Sequence, residues 1–535
     1  MPLRSLTETA DEFMESESEG CFHLYVASVL LLVLASEPFA VAAAAITRDD
    51  FPPGFIFGAG TSAYQAEGAV AEDGRKPSIW DTFAHAGLNA DQTAADIAAD
   101  QYHKYKGDVK LMRDMGLDAY RFSMSWSRII PDGRGPINPK GLQYYNNLIN
   151  ELVSNGIEPH VTLCHFDLPQ ALQDEYEGLL SPRIVEDFTA YADICFKEFG
   201  DRVKNWITFN EPNFEPVLGY DVGIFPPARC SYPFGFNCSE GDSTREPYQS
   251  AHNFLLSHAS AATLYKEKYQ AEQGGKIGIT ILGFWVSPYT DSQEDIVATQ
   301  RARDFHIGWI MDPLVYGDYP SLMREIAGSR LPSFDAKESK KLKESFDFVG
   351  FNHYGVFYVQ SYPNNYDKND RDYIKDLSAK VPNFLTRSLS KVFTMKGKSP
   401  FSNTPWALQE MLEYVKVKYR NPPIIIHENG YGEFDIGPTT GNGTADSDRV
   451  TYLQGYIESL LQSVRNGSNT VGYFVWSFID CFELMFGYTA RYGLYGVDFR
   501  GADRSRFPRL SAHWYSSFLS NRGLRIQASD IVYTE

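Results

Sequence analysis

The chain has 535 residues, and its 49 basic against 68 acidic side chains leave a formal charge of −19. With 43% hydrophobic and 14% aromatic residues it has the composition of a folded globular protein, which excludes disorder, collagen and a polytopic membrane protein. A pI near 5.1, with no Lys/Arg run, excludes a nucleic-acid partner, because phosphate binding needs clustered positive charge.

At the N-terminus, residues 24 to 35 form an apolar run of secretory length, followed by an alanine-rich stretch from Ala40 to Ala45 that offers small residues for cleavage. Residues 1–45 are therefore expected to be an N-terminal extension and signal peptide, and 46–535 a single folded domain. The apolar run falls short of the ~20 residues of a comfortable span, so no stable membrane insertion is expected. The flank before it departs from the usual basic pattern, holding Glu8, Asp11, Glu12, Glu15, Glu17 and Glu19 against Arg4. Secretion agrees with the sequons at Asn237, Asn442 and Asn466, and with the pair Cys230 and Cys238 in a Pro/Gly-rich loop, an expected disulfide. Cys164, Cys195 and Cys481 lie in apolar patterns and read as buried free thiols, with no partner at metal-ligand spacing.

From residue 55 onward, short β-rich runs alternate with longer amphipathic ones. The spacing predicts strands over 55–63, 119–126, 158–166, 205–211, 276–285, 346–353, 423–428 and 470–477. Between and after them it predicts helices over 100–115, 139–155, 182–199, 247–270, 294–310, 404–419, 447–466 and 509–521, with Gly116, Gly156 and Gly200 as stops to the first three. Eight strand–helix alternations with long crossovers point to an α/β fold, a single (β/α)₈ TIM barrel. A doubly wound open sheet is the alternative, but no glycine-rich phosphate fingerprint follows the first strand. The surplus length, chiefly 212–246 and 354–403, follows strand C-terminal ends, where a barrel carries its active site.

Two of those strand ends carry acids. Ile207-Thr208-Phe209-Asn210-Glu211-Pro212 closes the fourth, and Ile424-Ile425-Ile426-His427-Glu428-Asn429-Gly430 the seventh. Carboxylates on roughly opposite staves of one barrel can face each other across its mouth. Glycoside hydrolysis requires that arrangement: one acid protonates the leaving oxygen while the other attacks or stabilises the anomeric carbon.

With Ser62-Ala63-Tyr64-Gln65-Ala66-Glu67-Gly68-Ala69, Tyr120-Arg121-Phe122-Ser123, His165-Phe166-Asp167-Leu168-Pro169, Asn352-His353-Tyr354 and Trp476-Ser477-Phe478, continuing to Glu483, the chain resembles glycoside hydrolase family 1, in particular its plant β-glucosidases, over residues 51–520. The resemblance implies a retaining mechanism with Glu211 as general acid/base and Glu428 as nucleophile. It implies that Gln65, His165, Asn210, Trp476 and Glu483 contact the glucose. Arg121 and Tyr354 would orient the nucleophile, Tyr354 also facing substrate, and Trp406 would line the aglycone side. The implied substrate is a small-molecule β-glucoside of a plant secondary metabolite, and the implied address is the secretory pathway, ending in apoplast or vacuole. Leu484 and Phe166 stand where many members have Trp, as in relatives that resemble acyl-glucose-dependent transglucosidases; transfer of glucose to a flavonoid or phenolic acceptor is the alternative activity. A catalytically dead binding protein is disfavoured because both carboxylates are in place. No cofactor or metal is expected: the chain has no phosphate loop, His-Glu-x-x-His arrangement or Cys cluster.

Overall fold

The computed structural model describes residues 46–236, 238–362, 371–380, 402–434 and 445–521. The expected signal segment and the sequons at Asn237 and Asn442 lie outside the described residues. Eight parallel strands close into a barrel: β1 Ile56–Gly60, β2 Ala119–Ser123, β3 Glu158–Cys164, β4 Asn205–Asn210, β5 Lys276–Leu282, β6 Phe348–Asn352, β7 Ile424–Asn429 and β8 Thr470–Trp476. Each stave pairs with its sequence neighbours, and β8 closes on β1 in register Ile56 to Gly472 through Gly60 to Trp476. The strands read as nearly unbroken apolar runs because each is buried on both faces, by the barrel interior and by the helices outside.

All eight expected strands are present, within a few residues of the expected ends. Around them lie α1 Gln101–Met115, α2 Pro139–Ser154, α3 Arg183–Phe199, α4 Glu246–Lys268, α5 Gln293–Arg303, α6 Trp406–Lys418, α7 Ser447–Arg465 and α8 Leu510–Leu519. Gly116 closes α1 in the left-handed region at φ +90°. Gly200 stops α3 differently: its φ stays right-handed, and a Cβ there would fall 2.0 Å from Gln273 Oε1. The helix expected over 294–310 is longer and interrupted, because Asp304–Gly308 forms a π turn between α5 and a further helix at Trp309–Tyr316. Val356–Ser361 and Ala379–Lys380, from the insertion at 354–403, form a small sheet with Trp285–Pro288, which follows β5.

The barrel interior changes character along its axis. Ala119, Ile207, Phe348, Ile425 and Phe474 meet from five staves, an apolar plug. His160 of β3 and His427 of β7 approach across the interior with ring centroids 6.0 Å apart and contact Phe474. Beyond them, toward the strand C-termini, come Arg121, Asn210 and Glu428. Above the apolar plug the interior thus becomes polar, through the two imidazoles and then the charged layer at the mouth.

Candidate active site

Glu211 stands one residue past β4, where the chain turns through a left-handed conformation at φ +49°. A non-glycine residue is held there against its preference, and the cost is of order 1–3 kcal/mol. Two clamps hold it: the Glu211 N–H donates to Thr280 O at 2.8 Å, and Asn213 ties the following loop to β5 by exchanging hydrogen bonds with Leu282 N and O at 3.0 and 2.9 Å. Phe166, after His165, and Leu484, after Glu483, also have positive φ, at 68° and 51°. Three of the turns that aim site residues are therefore strained in the same way.

Glu428 lies one residue before the end of β7 and is gripped from both sides. The Arg121 guanidinium donates to Oε1, and the Tyr354 hydroxyl donates to Oε2 at 2.6 Å. Arg121 also donates to Asn210 Oδ1 at 2.6 Å and to Thr162 Oγ1 at 3.3 Å, which fixes the guanidinium plane. The Asn352 amide, at the tip of β6, donates to Glu211 Oε1 at 2.7 Å and to Asn210 Oδ1 at 3.0 Å. The two carboxyls thus stand in one hydrogen-bonded cluster, and the ionic partner, Arg121, is on Glu428.

Glu483 receives Gln65 Nε2–H at 3.3 Å, and Gln65 Oε1 accepts from Ser62 Oγ at 2.7 Å. The His165 ring lies nearly parallel to the Trp476 indole, centroids 5.8 Å apart at 14°. Gln65, His165, Asn210, Glu211, Tyr354, Glu428, Trp476 and Glu483 all line one cavity of about 380 Å³. Trp406, which opens α6 and is 37% exposed, is not among the described residues that line it. Asn352 and Asn213 also join the site: Asn352 sits in the Asn352-His353-Tyr354 motif at a strand tip, and Asn213 is marked in the sequence only by its place just after one. As expected, Cys230 and Cys238 are bonded, with Cα atoms 5.3 Å apart, and Cys164, Cys195 and Cys481 are buried free thiols. Asn466 is exposed just past α7. Among the described residues, no group of three or more His, Cys, Asp or Glu is placed to hold a metal, and no helix is long and apolar enough to cross a membrane.

The family model for Glycosyl hydrolase family 1 matches residues 47–524. The chain belongs to that family. Rice "Beta-glucosidase 22" is 54% identical over 92% of each chain. A Delphinium grandiflorum enzyme, "Cyanidin 3-O-glucoside 7-O-glucosyltransferase (acyl-glucose)", is 51% identical over 89% of this chain and 91% of its own. A solved rice β-glucosidase mutant, in a covalent complex with glucose, superposes with a TM-score of 0.84 at 43% identity, over 88% of this chain and 99% of that one. As a member of family 1 the protein is a retaining β-glucosidase.

Electrostatics divides the two family carboxyls. Burial, and then the neighbouring Glu428 charge, push Glu211 up to about 8. Burial also raises Glu428, but Arg121 and the Tyr354 hydroxyl pull it back, so Glu428 ionises first and Glu211 keeps the proton. Burial raises Glu483 and Glu215 to about 8 and Asp167 to about 7.

These shifts set a pH dependence of stability. A carboxyl protonated in the fold but ionised in the unfolded chain stabilises fully below its unfolded value, and that contribution is lost as pH rises through 7 to 8. Burial holds His160, His165, His252, His258, His306, His353 and His427 neutral by lowering them, the opposite sign: their contribution is present above the unfolded 6.5 and fades as pH falls below it. The melting temperature should therefore be highest near pH 6 to 6.5 and clearly lower at pH 8. A scanning-calorimetry series showing Tm level or rising from pH 6.5 to 8 would contradict these protonation states.

Proposed function

We propose that the enzyme cleaves β-glucosides with apolar aglycones, of the kind plant secondary metabolism produces, with Glu211 as acid/base and Glu428 as nucleophile. The observation that carries this reading is the mixed lining of the cavity, polar groups about the two carboxyls and a large apolar remainder. Around Gln65, His165, Asn210, Trp476 and Glu483 the wall offers amide, imidazole and carboxyl groups beside an indole face, matching a pyranose with hydroxyls in its plane and C–H groups on its face. The same cavity is walled by Phe214, Val217, Leu218, Ile224, Phe225 and Phe357, with Asn213 and His306 as polar groups among them. A sugar leaving group there would lose water from its hydroxyls and find few partners, whereas an aromatic or terpenoid group would bury apolar area.

In the first step the Glu428 carboxylate, aimed by Arg121 and Tyr354, attacks the anomeric carbon while Glu211 gives its proton to the departing oxygen. The glucosyl ester on Glu428 carries no charge. The repulsion that held the proton on Glu211 is then gone, its pKa falls, and the same carboxylate takes a proton from the incoming water. The second reading, transfer to an acceptor alcohol or phenol in place of water, draws on the Delphinium relative and on Leu484, whose side chain lines the cavity where an indole donor stands in many members.

We assign the enzyme to the secretory pathway, with delivery to apoplast or vacuole, cleavage of the leader before about residue 46, and glycans on Asn237, Asn442 and Asn466. The apolar run at 24–35, the sequons and the Cys230–Cys238 disulfide support this. One assay tests the substrate reading: kcat/KM for a panel of phenolic and terpenoid β-glucosides against cellobiose. The phenolic and terpenoid members should lead by at least about tenfold, and a preference for cellobiose would overturn the proposal. Counting free glucose against new glucoside in the same mixtures, with a flavonoid acceptor added, separates hydrolysis from transfer.

A further inference from the structure

We infer that Cys481 is a positioning residue for the sugar: its thiol holds the carboxyl of Glu483 in the orientation that receives the glucose. This rests on the reading of Glu483 as a glycone contact.

Cys481 is fully buried in the turn after β8, within a small cluster that includes Ala66, Phe434, Trp476 and Tyr492. Its Sγ lies 3.3 Å from Glu483 Oε1 and 3.9 Å from Gln65 Nε2. Burial and the neighbouring carboxyl raise the thiol well above its ordinary value, so it keeps its proton and donates. The order of donors is then fixed along the whole chain of contacts. Ser62 donates to Gln65 Oε1, which turns the Gln65 amide so that its N–H groups face Glu483; Gln65 donates to Oε2, and Cys481 donates to Oε1. Gln65 and Cys481 thus hold one oxygen of Glu483 each, the Trp476 side chain also hydrogen-bonds the carboxyl, and Glu483 lines the cavity. Without the thiol, Oε1 would lose this donor in a buried setting, and the carboxyl would be held less firmly about its last bond. A thiol suits this place because its long C–S bond and weak donor strength hold the carboxyl without drawing it out of reach of the ligand.

The test replaces Cys481 with Ala, with Val, which keeps the volume without the donor, and with Ser, which keeps a donor. Cys481→Ala and Cys481→Val should raise KM for aryl β-glucosides and the inhibition constant of free glucose together, by about five- to tenfold, with kcat changed less and Cys481→Ser recovering much of the loss. In a Glu483→Gln background Cys481→Ala should cost less than about twofold more, since the partner it positions is already altered. An unchanged KM in Cys481→Ala and Cys481→Val overturns the inference. So does an undiminished loss in the Glu483→Gln background, which would mean that Cys481 only fills space. If Cys481→Ala does not fold, Cys481→Val carries the same comparison. A wild-type enzyme for which glucose is no inhibitor would fail the reading of the glycone pocket itself, before any variant is made.

Discussion

Glu428→Ala should lower turnover of aryl β-glucosides by a factor on the order of 10⁴–10⁶, and added azide or formate should restore much of it while inverting the product. The carboxylate that the substitution removes is the atom group Arg121 and Tyr354 are built around, and both donors remain to orient a small anion in the vacated space. That anion attacks from the face Glu428 used, and no second displacement follows because the carbon–azide bond is not cleaved. The product is therefore the α-glucosyl azide. Polarimetry or proton NMR of the product distinguishes this outcome. Substantial activity in Glu428→Ala with no added nucleophile would remove Glu428 from the role assigned to it.

Glu211→Gln should instead show a loss that depends on the leaving group. Natural glycosides, whose alkoxide or phenoxide needs a proton, should fall by about 10²–10⁴. Dinitrophenyl glucoside departs as a stable anion and should still form the glucosyl ester, giving a burst followed by slow turnover unless a strong external nucleophile is supplied. Gln keeps the shape of the side chain and its hydrogen bond with Asn352, so the contrast reports the missing proton. Equal losses on both substrates, by burst and steady-state kinetics, would show that Glu211 is not the acid.

The barrel was legible because its staves are buried on both faces. Ile424, Ile425 and Ile426 announce β7 without any structure, and the acid that follows them lands at the mouth because a parallel strand in a closed barrel can end nowhere else. The eight strands and the cavity-lining residues on or after their tips were therefore placed by pattern and by family motif together. What failed to show was set by turns. The π segment at Asp304–Gly308 differs from an ordinary helix by a hydrogen-bond shift that leaves little trace in hydrophobic period. Cys481 read as a core thiol, and it is one; its contact with Glu483 depends on the turn that runs through Leu484 at positive φ, which sequence does not reveal for a non-glycine residue.

The division of roles between the two carboxyls is tested most directly by trapping the intermediate. Incubation with 2-deoxy-2-fluoro-β-glucosyl fluoride slows the second step more than the first, so the enzyme accumulates as the ester; digestion and fragment mass spectrometry then locate it. The label should sit on Glu428 alone. A label on Glu211 or Glu483, or an inactivated enzyme with no covalent sugar, would contradict the mechanism.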